Sequence, residues 1–241
     1  MIESTQKREN WVALGNRVPW RVMHWLLRNW PSGYQLLRYG TRNVNSPEHW
    51  DAAWARHGKD GFRATGAAPE LRRRILEVVP PNSTVLDVGC GVGETMILLR
   101  DANHCVCFGL DIANSAVSAV LEKGMQAKTA VLPEIPYPDQ TFDAVVCTET
   151  IEHVTDANGT IRSIARVLKP GGVLVLSVPD GSVDEEDSHV HRFTAARLRE
   201  MLSRTLPVER IETIPPEADD VFPSLFAVAR RGRGGATTPT T

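Results

Sequence analysis

One segment restricts the fold more than any other. Asp87-Val-Gly89-Cys-Gly91-Val-Gly93-Glu94 joins an apolar run, Thr84 to Val88, to a stretch of helical character, Gly93 to Ala102. A strand that turns this sharply into a helix needs residues without a Cβ, and the same glycines let a ligand lie directly on the backbone. In a dinucleotide-binding G-x-G-x-x-G the third glycine would fall at position 94, which is glutamate here. It comes one residue early instead, at Gly93. The resulting G-x-G-x-G makes a wider turn, suited to a nucleoside with an amino-acid tail rather than to a pyrophosphate. Asp111 follows 22 positions after Gly89. It ends the next apolar run, where a carboxylate can accept hydrogen bonds from both ribose hydroxyls.

The pattern around this loop alternates. Pro69 to Val79 reads as a helix closed by Pro80-Pro81, followed by the Thr84–Val88 strand and the Gly93–Ala102 helix. Cys105 to Leu110 is a strand, Asn114 to Lys123 a helix, Asp143 to Thr148 a strand, Asp156 to Leu168 a helix and Gly172 to Val178 a strand. Continuous apolar strands separated by helices predict a parallel sheet covered on both faces. A helix after Thr194 leads into strands at Val208–Thr213 and Ser224–Ala229, close enough together to suggest an antiparallel edge. The expected fold class is therefore α/β: a Rossmann-like, doubly wound sheet, mostly parallel with an antiparallel last strand, plus an N-terminal helical cap. Three parts follow: a cap or lid over 1–68, a ligand-binding domain over 69–230, and a disordered Gly/Thr/Pro-rich tail over 231–241.

Composition narrows the functional classes. With 241 residues, 42% apolar and 23% charged, the chain has room for one domain and a small addition, and wholesale disorder is excluded. A net charge of −2 makes a nucleic-acid partner unlikely. No apolar run reaches the roughly 18 residues of a membrane span. The start, MIESTQKREN, lacks the basic and apolar regions of a signal peptide. Cys90, Cys105, Cys107 and Cys147 form no C-x-x-C pair, which argues against structural zinc and against a disulfide framework. A cytoplasmic location is expected.

VLDVGCGVGE, GLDIA, LPEIPYPDQTFDAVVC and RVLKPGGVLVLSVP together resemble the motifs of class I S-adenosylmethionine-dependent methyltransferases, over about residues 69–229. The resemblance implies seven strands with the final one reversed, and S-adenosyl-L-methionine as cofactor. It implies that the Gly89, Cys90, Gly91 and Gly93 backbone lies under the methionine and ribose part, and that Asp87 meets the amino group. It places Asp111 on the ribose and Ile112 against the adenine. Many relatives carry an aspartate before the Leu-Pro segment. That position here is Val131, so adenine is expected on Leu132 and backbone groups. Thr148, at the end of its strand, completes the cofactor set.

Methyl transfer is an in-line displacement at an activated sulfonium, so the protein must mainly align the nucleophile and receive its proton. In open α/β sheets the site lies beyond the carboxyl ends of the strands. Thr148 to His153 and Asp187 to Thr194 occupy that place, making His153, His189 and His191 the candidate general bases for a hydroxyl. The segments resemble those of ubiquinone-biosynthesis O-methyltransferases and their small-molecule relatives. The expected activity is methylation of a small molecule, at oxygen. A second reading starts from Glu149, Glu152 and His153, an E-x-x-E-H pattern. With His189 or His191 it resembles the magnesium site of small-RNA 2′-O-methyltransferases. Magnesium is not the favoured reading, because similar pairs occur in metal-free relatives. RNA fits poorly with a chain that is not basic and has no added RNA-binding domain. A third reading, from another class, is a non-catalytic S-adenosylmethionine-binding or accessory protein. The acidic run Asp184 to Asp187 reads as a solvated loop.

The start of the chain is unlike the rest. Four of six tryptophans lie in the first 30 residues, and from Asn10 to Pro47 there are five arginines and no acid. Met23, Leu26, Leu27 and Trp30 recur at helical spacing, and Ser46-Pro47-Glu48 predicts a further helix start. Residues 10–47 are read as a lid over the acceptor, as a peripheral membrane contact, or as a packing or dimer-forming helix, leaving monomer and homodimer both open.

Overall fold

The computed structural model describes Pro19, Val22, Trp25 and residues 45–57, 69–184, 186, 188–216 and 222–233. Most of residues 1–44, with the three readings attached to them, and the tail beyond 233 lie outside the described residues. Val22 and Trp25 are helical.

The described elements run α1 (Pro47–His57), α2 (Pro69–Val78), β1 (Thr84–Val88), α3 (Glu94–Asn103), β2 (Val106–Asp111), α4 (Asn114–Glu122), β3 (Gln126–Thr129), β4 (Phe142–Thr148), a single 3-10 turn (Ile151–His153), α5 (Ala157–Val167), β5 (Leu168–Pro179), α6 (Ala195–Ser203), β6 (Val208–Ile214) and β7 (Ser224–Arg230). Helix starts follow capping chemistry. Ser46 accepts from the His49 N–H at 3.3 Å, Asp156 from the Gly159 N–H at 2.7 Å, and Thr194 from the Arg197 N–H at 3.3 Å.

The seven strands form one sheet in the order β3-β2-β1-β4-β5-β7-β6, parallel except where β7 meets its two neighbours. The reversed strand is therefore not at the edge. β7 inserts between β5 and β6, and β6 takes the border. Two closing strands in the sequence do not reveal which one docks on β5. The short strand β3 has no counterpart among the strands that the sequence pattern predicts. Three of its four residues, Gln126, Lys128 and Thr129, are exposed, so it carries no apolar signal.

Strand alternation builds a core on both faces. Leu86, Val145, Leu174 and Ala227 enter one cluster with α5 and α6, while Val85, Ala144, Val173 and Phe226 enter the other with α2. Strand order reverses between β1 and β4, and their carboxyl ends diverge there into a crevice, the usual ligand position in such sheets. Helix α1 lies over that end. Its Asp51 accepts from the Ser115 N–H at 2.8 Å and from the Ser115 hydroxyl at 3.0 Å, at the start of α4, and its Ala53 is buried.

Candidate active site

The crevice holds a cavity of about 150 Å³ that opens to solvent. On one side it is lined by Gly89, Asp111, Ile112, Val131 and Leu132, and on the other by Glu149, Thr150 and His153. Asn45, Trp50 and Trp54 close it from above.

The glycine loop and Asp111 hold each other. The Gly91 N–H donates to Asp111 Oδ2 at 2.9 Å and the Ala113 N–H to Oδ1 at 2.9 Å. Each carboxylate oxygen keeps a lone pair for a further donor such as a ribose hydroxyl. Gly89 sits at φ +76, and a Cβ there would lie 2.1 Å from Thr150 Oγ1. Gly91 has φ +50, and its Cβ would meet Cη2 of Trp54 at 2.5 Å. Both positions thus need glycine for conformation and for room. Asp87 is buried behind the loop, where desolvation pushes its carboxyl up to about 7, with the charge of Asp111 adding to the effect. Asp111 is raised as well, chiefly by burial and against its N–H bonds.

On the acceptor side, His153 lines the cavity, with its Nδ1 3.2 Å from the Ser188 carbonyl. A neutral ring must donate from Nδ1 to that carbonyl, which leaves Nε2 as an acceptor. Burial, with His189 nearby, lowers its pKa to about 3. Its ring meets Trp50 edge-on at 4.9 Å and His189 at 4.7 Å. His189 in turn holds Asp184 through Nδ1 at 2.8 Å. Asp184 is buried, and the equally buried Arg192 fixes the loop by donating to the carbonyls of Asp184, Glu186 and His189. Burial pushes the Asp184 carboxyl up, but the hydrogen bond and charge of His189 bring it below its ordinary value. The expected solvated loop is thus corrected at Asp184: two partners, five and eight positions on, draw it inside.

Glu152 is a further buried acid. It is 1% exposed, neither carboxylate oxygen has a hydrogen-bond partner, and burial, then the charge of Glu149, raises its pKa well above the usual range. Ligand atoms of Glu152, His153 and His189 all lie within 4.8 Å of one another. Glu149 turns aside, accepting from the hydroxyls of Ser177 at 2.8 Å and Ser224 at 3.4 Å. His191 points its Nε2 at the Val154 carbonyl, 2.9 Å away, and does not line the cavity.

Of the expected cofactor residues, Gly89, Asp111, Ile112 and Leu132 line the cavity, while Asp87, Gly91 and Gly93 support it from behind. Cys90 belongs to a buried cluster with Met96 and Val120, and Thr148 is not among the lining residues. Thr150 and the two tryptophans of α1 have no role in the sequence reading, and Asp184 reads there as solvated. Thr150 follows directly on Thr148 and Glu149, so its neighbourhood was marked. Nothing local marks the other three.

A seven-stranded sheet with a reversed seventh strand, a G-x-G-x-G loop after β1 and an acid at the end of β2 defines the class I methyltransferase fold, whose cofactor is S-adenosylmethionine. The family described as "Methyltransferase domain" matches residues 60–213, and the chain belongs to it. Among curated relatives, phosphoethanolamine N-methyltransferase of Triticum aestivum is 34% identical over 124 residues, 48% of this chain and 25% of that protein. The 27-O-demethylrifamycin SV methyltransferase of Amycolatopsis mediterranei is 34% identical over 120 residues, 46% of this chain and 44% of that protein. The match thus spans less than half of either relative. The solved structure of Haemonchus contortus phosphoethanolamine N-methyltransferase 2 in complex with S-adenosyl-L-methionine shares the fold, with TM-score 0.65 and 15% identity over 78% of this chain and 59% of that one.

Proposed function

We propose that the chain transfers a methyl group from S-adenosylmethionine to an oxygen of a small molecule. The observation that carries this reading is one cavity lined by Asp111 on one side and His153 on the other. Bound there, the cofactor supplies an electrophilic methyl carbon on a positively charged sulfur. The protein's part is placement. Asp87, behind the loop, faces the cofactor ammonium directly or through water, Asp111 its ribose hydroxyls, and Ile112 and Leu132 the base. His153 accepts the hydrogen bond of the acceptor hydroxyl at Nε2 and aims the oxygen lone pair.

With its pKa near 3, His153 is a poor base for a free hydroxyl. A hydroxyl becomes strongly acidic as its oxygen gains a third bond, so a weak base suffices if the proton leaves late. Of the two relatives, one is a methyltransferase of an O-demethylated acceptor and the other an N-methyltransferase. Oxygen is preferred here because a neutral imidazole acceptor suits a hydroxyl donor.

A second reading has one observation in its favour, the partnerless carboxylate of Glu152 beside two histidines. Two imidazoles and one carboxylate fit a transition ion such as zinc, manganese or iron better than magnesium, which prefers oxygen ligands. Glu152, His153 and His189 would hold it, and its role would be to bind the acceptor oxygen and lower its pKa.

One experiment tests both. Incubating the protein and methyl-labelled cofactor with a metabolite extract should yield a labelled, base-stable product. No label transfer refutes the activity, and label on nitrogen or carbon refutes the oxygen assignment. Transfer that EDTA abolishes and zinc or manganese restores selects the metal reading.

A further inference from the structure

We propose that Trp54 is a cofactor-binding residue: it forms the aromatic wall facing the glycine loop, and it comes from a helix that precedes the family-matched segment. The proposal rests on the cofactor reading above and adds a contact that reading does not contain.

Three observations carry it. Trp54 lines the same cavity as Gly89, Asp111 and Ile112. Its ring lies so close to Gly91 that a Cβ there would be 2.5 Å from Cη2 and 2.7 Å from Cζ2. The N–H of that same Gly91 donates to Asp111. Indole, loop and ribose acid are therefore one connected surface, and a ligand seated against Gly89 and Asp111 has the indole, packed on Gly91, as its adjoining wall.

The helix is anchored on the N-terminal side of this contact. One turn earlier, Trp50 stands edge-on to His153, and between the two Asp51 caps α4 through Ser115. Spacing of four residues puts both tryptophans on one face of α1. A flat, apolar indole suits a nucleoside with an aliphatic tail, whose purine and methylene surfaces gain from burial. Matching of the family begins at residue 60, so the contact falls in the segment preceding α2, where relatives of this domain need not agree.

The test uses the full chain, with S-adenosylmethionine and its demethylated product S-adenosylhomocysteine as probes, by calorimetry and tryptophan emission. Trp54→Ala should weaken both ligands by about tenfold, the loss expected from a large buried apolar contact. Trp54→Phe should bind within about threefold of the parent, since an aromatic wall remains. It should also lose a substantial part of the ligand-induced emission change. Parental affinity in Trp54→Ala, or a full emission change in Trp54→Phe, overturns the proposal. If Trp54→Ala fails to fold, the phenylalanine variant decides through its emission. A parent chain that binds neither probe sinks the cofactor reading itself. Binding weakened by Asp111→Ala but not by Trp54→Ala sinks only the indole wall.

Discussion

Asp111 does two jobs with one carboxylate. It ties the glycine loop to the end of β2 and leaves lone pairs facing the cavity. Asp111→Ala should therefore weaken S-adenosylmethionine by one to two orders of magnitude in calorimetry, a loss of about 1.5–3 kcal/mol for hydrogen bonds to a charged group. Unchanged affinity would refute the ribose assignment. Gly91 gives a complementary prediction. At φ +50 and against the Trp54 ring, Gly91→Ala combines backbone strain with a steric collision. A cost of about 1–3 kcal/mol in urea denaturation is expected. A substitution that leaves stability untouched would mean the indole moves aside freely.

At the level of elements, the loop from Asp180 to Phe193 is held by backbone bonds to Glu152, Pro223 and Phe193 and, from inside, by one side chain. Arg192 is 4% exposed and donates to three carbonyls, and its Nε lies 3.4 Å from the Asp184 carboxylate. Arg192→Leu strands a buried charge and should cost about 3–5 kcal/mol. Hydrogen exchange should then rise first at Val190 and His191, whose N–H groups bond the Glu152 carbonyl. If Arg192→Leu melts like the parent, the loop is held otherwise. The same loop shows what a sequence conceals. β1, α3, β2 and α4 were legible because period, glycine turn and a strand-end acid are local signals. Asp111 was legible for the same reason. Asp184 was not: beside three other acids it looked solvated, and its burial depends on His189 and Arg192 folding back over it. β3 escaped because an exposed edge strand carries no apolar alternation. Trp54 escaped because its partner, Gly91, lies 37 positions on and on another element.

Among the described residues, the sheet gathers buried acids at one end, and Asp87 among them contributes to stability with a pH dependence opposite to that of ordinary acid unfolding. Asp87 is raised from 3.8 to about 7, chiefly by burial. In the unfolded chain it ionises freely above about 3.9. Its contribution to stability is therefore fully present below that pH and is lost as pH rises to about 7. The upper limit, from three pKa units, is about 4 kcal/mol. His153, lowered to about 3 by burial, acts in the other sense: its contribution is lost as pH falls from about 6.5 toward 3. The Asp87 part is isolated by comparing the parent with Asp87→Asn in urea denaturation without ligand. The parent should lose stability relative to the variant from pH 4 to 7, and the difference should then level off. Cofactor binding should run the other way. The ionised Asp87 attracts the ligand ammonium, which stays charged below about pH 7.7. Affinity of the parent for S-adenosylmethionine should therefore rise between pH 5.5 and 7.5, while that of Asp87→Asn stays flat and weaker. Opposite slopes for stability and binding, both removed by one substitution, have no source in general surface charge. A difference between parent and variant that does not change with pH would show that Asp87 does not titrate in this range, and would refute the coupled response of stability and binding.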